Sequence, residues 1–155
     1  MENEFVPDLE ILVRLGVAAA VGAIVGFDRE RQGKPAGLRT HVLVSAGSAL
    51  FVVAAAETGT PTADMSRIIQ GVAAGVGFLG AGAILKLSDS RQILGLTTAA
   101  TIWMTAALGV AAGLGRLALA GAAAVLTLAT LTLLGRIEEK LWPGQDGDFK
   151  GADRG

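Results

Sequence analysis

The sequence predicts an all-α membrane protein, a polytopic bundle of about five short, Gly/Ala-rich transmembrane helices. Three observations carry this expectation. Of 155 residues, 52% are hydrophobic and 17% are charged, against roughly 25% charged in an ordinary soluble domain. Mean hydropathy is +0.55. The charges also sit between apolar blocks instead of recurring along one face of each helix, which suits a chain whose main solvent is lipid.

A spanning helix needs ~20 mostly apolar residues, and ~17 suffice for a short one. Five blocks reach that length: residues 9–27, 38–56, 68–85, 97–114 and 117–134. The second and fourth begin with polar groups, so a full span and a re-entrant segment both suit them. The third is densest in glycine. Beyond it, Arg136 to Leu141 continues the last helix until Pro143-Gly144 stops it. The expected division is a transmembrane unit over residues 1–141 and a polar, disordered tail over residues 142–155. The N-terminus carries Glu2, Glu4 and Asp8 and no Lys or Arg. A secretory signal begins with a basic stretch, so the first block is expected to be a retained helix.

Lys and Arg in short loops set membrane orientation. Ten lie on one side: Arg29, Arg31, Lys34, Arg39, Lys86, Arg91, Arg136, Lys140, Lys150 and Arg154. Arg67 and Arg116 lie on the other. With five spans this places the N-terminus outside and the C-terminus in the cytoplasm.

Composition excludes several functions. A net charge of −1 supplies no basic field for nucleic acid. Without Cys there are no disulfides, thiolate metal sites or Cys nucleophiles. One His cannot make a zinc site. GVGFLG (residues 75–80) is Gly-rich but lies inside an apolar span and lacks the Lys-Ser/Thr ending of a phosphate loop. No enzyme signature and no catalytic residue emerge, so a non-enzyme is expected.

Helices associate in lipid where small residues allow close approach. Gly22/Gly26, Gly71/Gly75 and Gly109/Gly113 are such pairs, with Gly77, Gly80 and Gly82 adding to the third helix. These glycines either permit packing or expose backbone carbonyls that line an ion path. On the packing reading, Gly75→Leu should disrupt the bundle. Thr97, Thr101 and Thr105 continue into Gly109 and Gly113 as one small, mildly polar stripe. Their hydroxyls either bond back to helical carbonyls or face Gln70, Ser45 or Ser48 across a cavity. Trp103 sits deep in its span, where its indole N–H needs a partner. Arg14, four residues after Glu10, reads as an i,i+4 pair snorkelling outward or as a buried charge facing a cavity.

The densest polar run is residues 28–41, DRERQGKPAGLRTH. Flanking basic residues are ordinary orientation signals. However, Gly33, Pro35 and Gly37 prescribe turn geometry, and acidic residues alternate with basic ones, which orientation alone does not need. Asp28, Arg29, Glu30, Arg31, Lys34, Gly37, Arg39, Thr40 and His41 are therefore the candidate functional loop. His41 starts the second helix, where a hydrogen-bonded structural role is the commoner one. Asp28 and Glu30 are weak candidates for Mg²⁺, which takes oxygen ligands, because four cations surround them. No other cofactor is expected.

At this point the pattern resembles the MgtC/SapB family of bacterial inner-membrane proteins. The resemblance rests on residues 22–41 and on VLVSAGSALF (42–51), GVAAGVGFLGAGAIL (71–85) and GLTTAATIW (95–103), running on to residues 109–115. It covers roughly residues 16–115. It implies five spans and a link to magnesium homeostasis, in some pathogens to growth at low magnesium and survival in host cells. Members are often labelled magnesium transporters, and regulation of other membrane proteins, including ATP synthase, is the alternative. By motif position it singles out Asp28, Arg29, Glu30, Gly37, Leu38, Arg39, Thr40, Gly77, Phe78, Gly80, Gly82, Thr98 and Trp103. Asp28 stands where Glu is common. Longer members carry a cytoplasmic domain after the fifth helix, so this chain resembles the short form.

The leading expectation is thus a non-enzymatic inner-membrane protein of magnesium homeostasis, acting as a regulator or transport-associated protein. The alternatives are an oligomeric channel or transporter for Mg²⁺ or a monovalent cation, and a partner-binding subunit of another membrane complex. Lipid is the expected surrounding. Exposed small-residue faces favour a homo-oligomer, and a membrane-protein partner is a further candidate.

Overall fold

The structure, a computed structural model, describes residues 8–86 and 93–141. It is a helical bundle: α1 Asp8–Arg31, α2 Leu38–Glu57, α3 Thr62–Gly82, α4 Leu96–Gly113, α5 Leu117–Ala129, a π-helical turn Thr130–Leu134 and α6 Gly135–Leu141. Between α3 and α4, β1 Leu85–Lys86 pairs antiparallel with β2 Ile93–Leu94. Four helical stretches are long and apolar enough to cross a membrane: Asp8–Arg31, Leu38–Glu57, Leu96–Gly113 and Leu117–Ile137. The chain is an all-α membrane protein.

Three expectations change. The first helix runs to Arg31, past the expected residue 27, so residues 28–31 of the presumed loop are helical. The second and fourth blocks form uninterrupted helices, α2 and α4, each long and apolar enough for a full span. The third block is shifted: α3 starts at Thr62 and ends at Gly82, and it is not among the four span-capable helices. Its physical reason is composition, since Asp64, Arg67 and Gln70 are polar and glycine contributes little hydropathy. The helical continuation through Leu141 is as expected. Met1–Asp8 apart from Asp8, Arg91, and the expected tail with Pro143, Lys150 and Arg154 lie outside the described residues.

α4 is the hub, touching α1, α2, α3 and α5. Close approaches give the directions. A Cβ on Gly22 would meet the His41 carbonyl oxygen at 2.6 Å, and one on Gly26 the Leu38 Cα at 2.8 Å, so α1 and α2 are antiparallel. A Cβ on Gly109 would lie 2.1 Å from the Ser45 carbonyl oxygen, and one on Gly113 2.8 Å from that of Ala49, so α2 and α4 are parallel. Backbone meets backbone at both seams, as small residues permit where lipid gives no hydrophobic drive. α5 packs on α1 and α4 through Ala18, Ala112 and Ala120, and through Val21, Leu108 and Ala124.

Two of the three expected glycine pairs thus build the bundle. The third does not: beside Gly71, Gly75, Gly77 and Gly82 there is open space. Gly80 alone of that helix faces α4, where a Cβ would make ordinary contact with Ala99 at 3.6 Å. Phe78 is 82% exposed. The face of α3 that carries its glycines points away from the rest of this chain.

Candidate functional site

α1 carries Gly22, Gly26 and Arg29 on one stripe, at i, i+4 and i+7. Because the glycines press onto α2, Arg29 is drawn inside at the end of the helix. It is 2% exposed. Its Nη1 donates to Gln32 Oε1 at 3.2 Å, and its Nη2 reaches Thr98 Oγ1 in the first turn of α4 at 3.5 Å. Its Nε has no partner. No described carboxylate lies within ion-pair distance of Arg29.

His41 and Ser45 line the same seam from α2. His41 is fully buried; its Nδ1 donates to the Gly37 carbonyl at 2.9 Å, and its Nε2 has no protein partner. A carbonyl can only accept, so Nδ1 carries a proton and the neutral ring presents Nε2 as an acceptor. Ser45, also fully buried, leaves its Oγ unpartnered. From α4 come Thr98, Thr101 and Thr105, all buried. Thr101 and Thr105 donate to the Thr97 and Thr101 carbonyls at 2.6 and 2.8 Å. The stripe therefore takes the local hydrogen-bonding alternative. Thr97 and Gln70 are exposed, and Ser48 bonds back to the Val44 carbonyl at 2.7 Å. Trp103 is 53% exposed; its ring lies on the outer surface of α4, not against an internal partner.

The rest of the candidate loop is outside this seam. Asp28 Oδ2 accepts from Gln32 Nε2 at 2.7 Å. Glu30 Oε2 accepts from the Leu38 N–H at 2.7 Å. Leu38 is the first residue of α2, so Glu30 caps that helix from the end of α1, a charged acceptor at a positive helix end. Gly37 is needed for this approach, because a Cβ there would lie 2.8 Å from Glu30 Oε2. Arg31 is exposed and stands over the Phe27 ring at 5.9 Å. Lys34 donates its backbone N–H to the Arg29 carbonyl at 3.1 Å. Arg39 is exposed and Thr40 half-buried. Asp28 and Glu30 each have a neighbour of their own, and among the described residues no three His, Cys, Asp or Glu side chains converge to hold a metal.

The cap yields a prediction. Glu30→Ala should lower the unfolding midpoint in neutral detergent, by about 1 kcal/mol of stability for a lost cap. Glu30→Gln, which keeps an acceptor oxygen, should lose less. Equal losses would mean the cap does not hold the loop.

At the opposite end, Arg14 pairs with Glu10 as expected, its Nε 3.1 Å from Oε1. Its Nη1 also donates to the Gly113 carbonyl at 3.0 Å, at the negative end of α4. That contact had no sequence signal. A cation at a helix C-terminus is favourable, whereas Arg29 near the N-terminus of the same helix is not.

Comparison with known proteins places this architecture. A profile described as the MgtC family matches residues 15–140. The chain belongs to the MgtC family. SrpB of Synechococcus elongatus is 46% identical over 145 residues, 86% of this chain and 80% of that one. YhiD of Escherichia coli K12, named as a candidate magnesium transporter, is 41% identical over 139 residues, 85% of this chain and 64% of that one. MgtC of Salmonella typhimurium LT2 is 35% identical over 130 residues, 84% of this chain and 54% of that one. This MgtC-family chain therefore spans only about half to two-thirds of the two longer relatives. No solved structure matches.

Proposed function

We propose that this MgtC-family chain is a non-enzymatic membrane protein of magnesium homeostasis that regulates another membrane protein and does not conduct Mg²⁺ through its own bundle. The link to magnesium comes from family membership and the name given to YhiD. The observation that carries the regulatory reading is the sign of the buried charge. The polar seam among α1, α2 and α4 holds a guanidinium, a His whose Nδ1 is a donor, and hydroxyls. Mg²⁺ seeks carboxylate and water oxygens, and a cation approaching Arg29 in a medium of low dielectric is repelled. By the distribution of Lys and Arg, the Arg29 end lies in the cytoplasm and the N-terminus outside, in a bacterial inner membrane.

Flux through proteoliposomes tests the reading. Vesicles holding folded protein should show no Mg²⁺, Na⁺ or K⁺ flux above protein-free vesicles, while a deletion strain should grow poorly in magnesium-limited medium and be rescued by the gene. Flux that Arg29→Gln increases or abolishes would defeat it. A second reading, a channel built between copies, is favoured by the open backbone at Gly71, Gly75 and Gly77 on α3, since exposed carbonyls can replace an ion's hydration shell. Measurable flux together with a homo-oligomer in the membrane would select it.

A further inference from the structure

Arg29 has no ion-pair partner among the described residues, and the carboxylate nearest it in sequence, Asp28, is engaged by Gln32. Burying a charge costs several kcal/mol unless it is paired, and this one lies beside the positive end of α4. Nε and Nη2 occupy one edge of the guanidinium plane, the edge that takes two oxygens of a carboxylate or phosphate side by side. Here Nε is unpartnered and, among the described residues, Nη2 makes only the long contact to Thr98 Oγ1. The first turn of α4 has no side-chain cap: its N-cap is Gly95, and no capping side-chain hydrogen bond is made there. Gly95 is held at φ +88, with the Ala83 carbonyl oxygen 2.0 Å from where a Cβ would stand. An N-terminal turn with no side-chain cap, a hydroxyl and a guanidinium edge whose Nε is unpartnered is an arrangement that takes anions.

We propose that Arg29, Thr98 and the first turn of α4 form a binding site for a phosphate-type oxyanion, of the kind carried by an anionic lipid headgroup or by free inorganic phosphate. Its place in the fold suits either source. The α1 span ends at Arg31 and the α4 span begins at Leu96, so the site lies where both spans reach the membrane surface. Phe27 and Leu96, 57% and 58% exposed, give the same ends of α1 and α4 an apolar outer surface. The proposal stands apart from the regulatory reading, because it concerns binding and not flux or growth.

The test uses the full chain in a neutral maltoside detergent. Thermal unfolding and native mass spectrometry are run with phosphatidylglycerol against phosphatidylcholine, and separately with inorganic phosphate against chloride at matched ionic strength. Wild type should be stabilised by phosphatidylglycerol, by phosphate or by both. Stabilisation by phosphate identifies the free anion as sufficient; stabilisation by phosphatidylglycerol alone identifies the headgroup. Arg29→Lys keeps the charge and loses the two-pronged edge, and Thr98→Val loses the hydroxyl. Each should weaken binding about tenfold, the equivalent of one hydrogen bond to a charged group. Arg136→Gln removes an exposed cation of α6 that is not part of the site and should leave binding unchanged. If Arg29→Lys does not fold, Thr98→Val carries the comparison. No response of wild type to either ligand overturns the proposal, as does equal weakening by Arg136→Gln, which would mean diffuse surface charge.

Discussion

Gly109→Ala should destabilise the bundle more than an ordinary core substitution. The added Cβ would lie 2.1 Å from the Ser45 carbonyl oxygen, 2.8 Å from its carbonyl carbon and 2.9 Å from its Cα. All three are backbone atoms of α2, so no side-chain rotation relieves the clash. Overpacking by a methylene typically costs about 1–3 kcal/mol, and a rigid backbone opposite puts this case at the upper end or beyond. The two helices must separate, and the seam that buries His41 and Ser45 opens with them. Gly75→Ala is the matched control. A Cβ there meets nothing within 4 Å, and alanine is a better helix former by roughly 0.5–1 kcal/mol, so stability should hold or rise slightly. Unfolding in detergent, followed by loss of helical signal, reads both. Within one chain, the expected disruption by Gly75→Leu also disappears. Should Gly75→Leu destabilise as much as Gly109→Ala, the glycine face of α3 would be covered by another chain in solution.

Gly95→Ala should be the second severe change, for two separate reasons. Gly95 holds φ +88, where a residue with a Cβ loses roughly 1–2 kcal/mol. Its Cβ would also meet the Ala83 carbonyl oxygen at 2.0 Å and the carbonyl carbon at 3.0 Å, adding a steric cost of about 1–3 kcal/mol. Gly33→Ala separates the two. Gly33 has φ +64 and open space around its Cβ position, so only the conformational cost applies. The unfolding midpoint of Gly95→Ala should fall well below that of Gly33→Ala. Equal midpoints would show that the turn joining α3 to α4 yields without strain. Because Gly95 sets the start of α4, its substitution should also displace Thr98 from Arg29 and diminish the phosphate response.

Much of the fold was legible because lipid imposes a simple rule: a chain in hydrocarbon must satisfy its backbone within helices. Apolar block length therefore located α1, α2, α4 and α5. Block length was least informative for α3, where glycine, Arg67 and Gln70 dilute the hydropathy. The candidate site was legible only in part. The polar run 28–41 was found, but taking the first helix to end at residue 27 hid its stripe. Extended to Arg31, the helix puts Gly22, Gly26 and Arg29 on one face, while Arg31, about 200° further round, faces outward over Phe27. Helix position no longer distinguishes those two arginines once the helix is cut short; only the family motif singled out Arg29. Glu30 offered carboxylate oxygens for a metal on paper; in the fold one of them is engaged by the Leu38 N–H.

Spacing of glycines named three close-packing pairs, and tertiary structure kept two. The GxxxG pattern states only that a backbone is able to come close, not that a partner is there. For Gly22/Gly26 and Gly109/Gly113 the partner is α2; for Gly71/Gly75 it is not within this chain. By itself the sequence determined an all-α membrane protein of the MgtC family, because hydropathy and motif order are properties of the chain read along its length. Only the tertiary structure decided that Arg29, Thr98, His41 and Ser45 share one buried seam, because that depends on which helix faces meet, and helices far apart in sequence meet wherever glycine lets their backbones touch.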